Sequence, residues 1–212
     1  NGAFDCVIHA AGATKARSRD DFFSSNTLVT RNLAKVLTET GTLTGRMVFM
    51  SSLSVMGAIH ESDGGELREG DVPQPNTAYA ESKLAAEKEL AAMTDLDYVV
   101  LRPTGIYGPR ERDYFLMAKS ITQHVDFAVG YKPQVITFVY VRDVVQAAFL
   151  ALERGQRGKA YFLSDGEEYS SRDFSMLLQK ELGTKCVLHV CAPLWVLRVV
   201  CYLSGRIAQL RG

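Results

Sequence analysis

The sequence predicts an α/β protein with a parallel sheet and crossover helices. Short apolar runs alternate with helix-period segments along the whole chain, which is the pattern of strands joined by helices. The runs are apolar throughout rather than alternating, as expected of strands buried on both faces. Each run then opens into a loop at its carboxyl end, and in open α/β sheets those ends form the ligand crevice.

Residues 6–10 read as the first strand, followed by Ala11 and Gly12. A polar stretch leads into a helix over about 20–39, ended by Gly41 and Gly45. Residues 46–50 form the next strand, closing in Ser51 and Ser52, and a loop rich in Gly, Glu and Pro runs over 57–75. So long a loop beside a sheet is usually functional. Thr77 caps a helix running from near Tyr79 to Met93. Residues 97–102 are a strand stopped by Pro103, and a strand over 136–140 feeds a helix over 141–153. The tail adds a strand at 160–163, a helix at about 171–182, a strand at 186–190 and an amphipathic helix within 193–210.

With 212 residues the chain has room for a real core, and 47% apolar with 23% charged residues excludes wholesale disorder. Lys plus Arg number 24 and Asp plus Glu number 24, so no bulk field draws nucleic acid or an acidic bilayer. Cys6, Cys186, Cys191 and Cys201 make no CxxC pair and no dense framework, which points to free thiols in a reducing, cytoplasmic setting. No basic stretch ahead of an apolar one opens the chain, so no secretory leader is expected. The apolar stretch 193–210 is broken by Arg198 and Arg206 and is short for a membrane span. No metal site is expected, because strand alternation sends Cys186 and Cys191 to opposite faces. His9 reads as a core strand residue; His60, His124 and the acid-rich stretch 61–71 read as solvated loop.

The sharpest chemical feature is Tyr79-Ala80-Glu81-Ser82-Lys83. Residues four apart face the same way on a helix, so the Lys83 ammonium can stand near the Tyr79 phenol and favour its phenolate. A phenol so placed can work as acid or base near neutral pH. Tyr and Lys four apart also occur on solvated helix faces. Ser51 and Ser52 change the context, since they end the preceding strand and could meet the phenol in one crevice.

Six ordered segments carry a resemblance that covers nearly the whole chain. They are residues 5–12 (DCVIHAAG), 26–33 (NTLVTRNL), 49–57 (FMSSLSVMG), 79–83 (YAESK), 101–109 (LRPTGIYGP) and 138–144 (FVYVRDV). In this set the sequence resembles the extended branch of the short-chain dehydrogenase/reductase family, also called the epimerase/dehydratase family. The resemblance implies a Rossmann-like doubly wound parallel sheet with a small carboxyl-terminal substrate subdomain. It places the dinucleotide-binding part at 1–110 and 135–155 and the substrate part at 111–134 and 156–212. It makes Tyr79 the general acid/base, Lys83 the holder of the nicotinamide ribose and Ser52 the group orienting the substrate oxygen. Ala10, Ala11 and Gly12 would pass close beneath the adenosine ribose and pyrophosphate. Asn26, Ser51, Pro103, Thr104 and Ile106 join Tyr79 and Lys83 as cofactor contacts, the cofactor being NAD or NADP.

The family's glycine-rich phosphate loop has no counterpart here, and neither does the residue that separates NAD from NADP. Roughly the first third of the nucleotide-binding domain is therefore expected to lie outside this chain, and the 212 residues alone are expected to bind neither cofactor.

Leu53 and Ser54 stand where the family's dehydratases carry an acidic pair, and Ile136 where its UDP-sugar epimerases carry an arginine. Met56 replaces the usual tyrosine before Gly57. With the apolar stretch 193–197, these departures look like the dihydroflavonol-reductase and 3β-hydroxysteroid-dehydrogenase-like subgroup, although Trp195 and its neighbours read equally as core. The expected function is hydride transfer between a nicotinamide cofactor and a secondary alcohol or ketone of a largely apolar small molecule. A nucleotide-sugar epimerase or reductase is the alternative among enzymes, and a non-catalytic dinucleotide-binding regulator the alternative outside them. The resemblance also implies a homodimer, pairing through the helices at 20–39 and 79–93, the second presenting Leu84, Ala85, Leu90 and Ala91.

Overall fold

A computed structural model describes residues 2–58, 65–129, 135–193 and 195. In chain order the elements are β1 (Phe4–His9), α1 (Arg19–Phe22), a π-helical segment (Phe23–Leu28), α2 (Val29–Glu39), β2 (Leu43–Met50), a 3-10 turn (Leu53–Met56) and α3 (Ala78–Ala91). There follow β3 (Tyr98–Pro103), β4 (Gly105–Tyr107), α4 (Asp113–Thr122), β5 (Val125–Val129), β6 (Val135–Ile136), β7 (Phe138–Tyr140) and α5 (Val141–Arg154). The last elements among the described residues are β8 (Ala160–Leu163), β9 (Tyr169–Ser170), α6 (Ser171–Glu181) and β10 (Leu188–Ala192). They fall into two compact units, Asn1–Ile106 with Phe138–Asp165 and Tyr107–Thr137 with Gly166–Gly212.

In the first unit β1, β2, β3 and β8 form one sheet in that order, with every pair parallel. Alternation along β2 and β3 divides their side chains between two cores. Met47, Phe49, Tyr98 and Val100 meet Ala34 and Leu37 of α2 and Ala86 and Leu90 of α3. Val48, Val99 and Leu101 meet Ala148 and Ala151 of α5 on the other face. That two-sided burial is why these strands read as unbroken apolar runs. Each large side chain so enclosed, Phe49 and Met47 foremost, contributes about 1.5–3 kcal/mol.

The second unit holds α4 and α6, a parallel pair β5 and β10, and an antiparallel pair β6 and β9. Ser170 caps α6 reciprocally with Asp173. Neither α4 nor β5 stands out in the sequence, because 113–129 shows no clean period.

Five expectations need correction. The helix over 20–39 carries a π-helical segment in its middle, which turns both Asn26 and Thr27 inward. The boundary expected at 155/156 moves to Asp165, because β8 pairs with β3 and so belongs to the sheet. The strand expected at 186–190 begins at Leu188, since Cys186 has a left-handed φ of 58° and cannot start an extended run. Leu90 faces the core, 0% exposed, and is withdrawn from the proposed pairing face. Within 61–71, Glu69 is more than solvated loop: its carboxylate accepts the Phe162 backbone N–H at 2.9 Å. His60, the stretch 61–64 and most of the helix expected at 193–210 lie outside the described residues, and Trp195 is exposed.

Candidate functional site

Parallel pairing brings the carboxyl ends of β1, β2 and β3 to one edge of the sheet. Past β1, the backbone at Ala13 is clamped by Asn26, whose Oδ1 accepts the Ala13 N–H at 2.7 Å and whose Nδ2 donates to the Ala13 carbonyl at 3.0 Å. The same Nδ2 donates to Ser82 Oγ at 2.9 Å, and Thr27 Oγ1 donates to the Ser82 carbonyl at 2.8 Å. The π-helical segment thereby ties the loop after β1 to α3. His9 lies within 2.9 Å of Thr30 Oγ1 through Nε2, stacks on Phe49, and is held below its ordinary pKa by burial and then by Lys83.

Thr77 opens α3 by accepting the Ala80 N–H at 3.2 Å, which sets Tyr79, Lys83 and Glu87 on one face at four-residue steps. Burial raises the Tyr79 phenol above its usual value, and a hydrogen bond with Ser52 pulls the other way. Phe22 meets the Tyr79 ring edge-on, with centroids 6.0 Å apart. The Lys83 ammonium donates to the Met50 carbonyl at 2.6 Å and sits 4.5 Å over the Phe49 ring. Burial lowers Lys83 to about 8, and the Glu87 charge opposes that fall. The expectation that Lys83 depresses the Tyr79 pKa is therefore not met: burial governs the phenol, and the ammonium is engaged with the end of β2.

These ends enclose a cleft of ≈ 310 Å³. Ala10, Gly12 and Asn26 line it from the β1 side, Ser51 and Ser52 from β2, Tyr79 and Lys83 from α3, and Pro103, Thr104 and Ile106 from the β3 side. Ala11 does not line it. Ala13, Thr14 and Met50, which the sequence did not single out, do. Glu87 and Arg102 stand behind the wall as a buried ion pair at 2.6 Å. Glu87 could have been suspected from its spacing, four residues beyond Lys83, whereas nothing local pointed to Arg102.

The cleft suits a nicotinamide with its ribose. Gly12 leaves a space in which a Cβ would stand 2.8 Å from Asn26 Oδ1 and 3.6 Å from Lys83 Nζ. Thr104 Oγ1 is buried with no hydrogen-bond partner among the described residues and lines the same cleft. Lys83 Nζ offers a donor beside Gly12 in the same cleft. No group of three or more His, Cys, Asp or Glu among the described residues could hold a metal ion, and no described helix is long and apolar enough to cross a membrane.

Residues 1–164 match the model of the NAD dependent epimerase/dehydratase family. The chain belongs to this family. Among curated proteins it is similar to a GDP-6-deoxy-D-mannose reductase of Pseudomonas aeruginosa, 30% identical over 190 residues, covering 82% of this chain and 62% of that protein. It is also similar to sterol demethylase protein B of Methylococcus capsulatus, 29% identical over 166 residues, covering 74% of this chain and 49% of that one. Among solved structures, RMD from Pseudomonas aeruginosa complexed with NADPH aligns with a TM-score of 0.79 and 28% identity, over 89% of this chain and 68% of that one. The chain thus spans about half to two-thirds of the length of these family members.

Proposed function

We propose that this protein is an NAD- or NADP-dependent oxidoreductase acting on a secondary alcohol or ketone of a largely apolar small molecule. The observation that carries the reading is the convergence of Ser52, Tyr79 and Lys83 in one cleft. In the reducing direction the Tyr79 phenol gives its proton to the substrate oxygen, and in the oxidising direction the phenolate takes it back. Ser52, which lines the same cleft as the phenol, donates to the same oxygen and orients it. Lys83 presents its ammonium to the ribose, while Ala10, Gly12, Asn26, Ser51, Pro103, Thr104 and Ile106 shape the bed around it. A bound nicotinamide supplies or accepts the hydride in this chemistry. An apolar substrate is supported by Leu53 and Ser54 in place of an acidic pair, and by Met50, Pro103 and Ile106 in the cleft wall.

A second reading, reduction of a nucleotide sugar, is favoured by the 30% identity to GDP-6-deoxy-D-mannose reductase. The remaining parts of the proposal are a homodimer, supported by the exposed Val29 and Val36 of α2, and a reducing cytoplasmic setting, supported by the free thiols of Cys6 and Cys186. The second unit is proposed to bind the substrate.

Nicotinamide absorbance in the full-length protein, followed over panels of hydroxysteroids, flavonoids and nucleotide sugars with each cofactor, tests the reading. Turnover with apolar secondary alcohols or ketones is expected. Turnover with nucleotide sugars alone replaces it by the second reading, and cofactor binding without turnover on either panel replaces both by a dinucleotide-binding regulator.

A further inference from the structure

Behind the cleft wall lies a buried charge that the reaction above does not use. The Glu87 carboxylate is 7% exposed and accepts from two side chains. Oε1 takes the Ser51 hydroxyl and Arg102 Nε at 3.2 Å, and Oε2 takes Arg102 Nη2 at 2.6 Å. Arg102 Nη1 reaches on to Met56 Sδ at 3.3 Å. One carboxylate therefore joins α3, the end of β2, the end of β3 and the turn after Ser52. Each segment also supplies a cleft residue or its immediate neighbour: Lys83, Ser52, Pro103 and Leu53. Stability alone is a poor account of such a pair, because well-packed apolar residues often match or exceed a buried ion pair.

We propose that Glu87 is a positioning residue of this site, fixing the Ser51–Ser52 turn from behind and standing as the counter-charge of the Lys83 ammonium. Its consequence for turnover rests on the oxidoreductase reading; the coupling to Lys83 does not. Glu87 is bonded by Ser51 from β2 and Arg102 from β3, Lys83 stands one helical turn before it on α3, and its charge also acts on Tyr98 of β3, while His9 of β1 is acted on by Lys83. Burial drives Lys83 towards its neutral amine, and Glu87 is the charge that resists.

The test follows the Lys83 ε-carbon by NMR against pH in the full-length protein, with Lys83→Met assigning the signal. In Glu87→Gln the Lys83 midpoint should drop by about 1 unit or more, the size of effect that an opposite charge nearby exerts. The alkaline limb of kcat should move down with it, and kcat should fall more than the cofactor KM rises. Glu87→Asp keeps the charge and should leave the midpoint near that of the wild type, whereas a merely structural role predicts that both variants behave alike. If Glu87→Gln fails to fold because Arg102 is stranded, Glu87→Gln/Arg102→Gln restores balance and should still lower the midpoint. A folded variant without the carboxylate whose Lys83 midpoint and kcat pH limb match the wild type overturns the proposal. A lowered midpoint in a protein that turns over no alcohol or ketone overturns the oxidoreductase reading and leaves the Glu87 coupling standing.

Discussion

Asn26 and Ala13 exchange two hydrogen bonds, one in each direction, at 2.7 and 3.0 Å. The side-chain amide thus mimics a strand partner for a loop that has none, and holds the backbone at the mouth of the cleft. Asn26→Leu leaves the Ala13 backbone groups and Ser82 Oγ without that partner, which should cost about 1–3 kcal/mol. Urea denaturation reads the loss, and cofactor affinity should fall with it. A variant with wild-type stability would show that the clamp is dispensable.

Tyr79→Phe keeps the ring against Phe22 and removes only the phenol oxygen. Turnover should fall about 10²–10⁴-fold, the usual contribution of a general acid or base, while cofactor affinity by calorimetry stays near wild type. Unchanged turnover would remove Tyr79 from the proton-transfer role.

Lys83 titrates at about 8, so its ammonium is present at pH 7 and lost as pH rises through that value. Cofactor affinity should therefore decline across that interval. Lys83→Met should bind more weakly at every pH and show no such decline. A pH-independent wild-type affinity between pH 7 and 9 contradicts the ribose contact.

His9 sits below its unperturbed 6.5 because burial and Lys83 disfavour its charged form. The unfolded chain binds the proton more readily, so stability is complete above about 6.5 and is lost as pH falls through the folded value. His9→Gln, which can still reach Thr30, should flatten the part of the acid limb between those two values. The measurement is thermal unfolding from pH 7 downward, and an unchanged acid limb in the variant assigns the loss elsewhere.

Gly57 has a φ of +81°, and a Cβ there would press into the Gln74 carbonyl oxygen. Gly57→Ala should destabilise by more than about 1 kcal/mol, since neither the dihedral nor the space suits an L side chain. Because Gln74 N donates to the Met56 carbonyl at 3.3 Å, the strain falls on the turn after Ser52 and turnover should drop as well. A variant as stable and as active as the wild type would show that the turn can move aside.

What the sequence determined by itself is everything with a short period or a fixed local spacing. The parallel α/β class follows from unbroken apolar runs such as 46–50, and the row of Tyr79 and Lys83 from the helical repeat with its Thr77 cap. Ten of the eleven residues singled out, several of them only through the family resemblance, line the cleft: nine lie at or just past a strand end or on that helix face, Asn26 reaches it from the π-helical segment, and Ala11 is the exception. The tertiary structure decided what depends on register between distant segments. Arg102 and Glu87 lie fifteen residues apart, and only the pairing of β2 with β3 beneath α3 brings Ser51 to the same carboxylate. Whether Leu90 faces a core or a partner, and whether 160–163 belongs to the sheet or to the second unit, were settled in the same way. A helix or strand period tells which residues share a face, whereas what that face meets is set by packing between elements far apart in the chain.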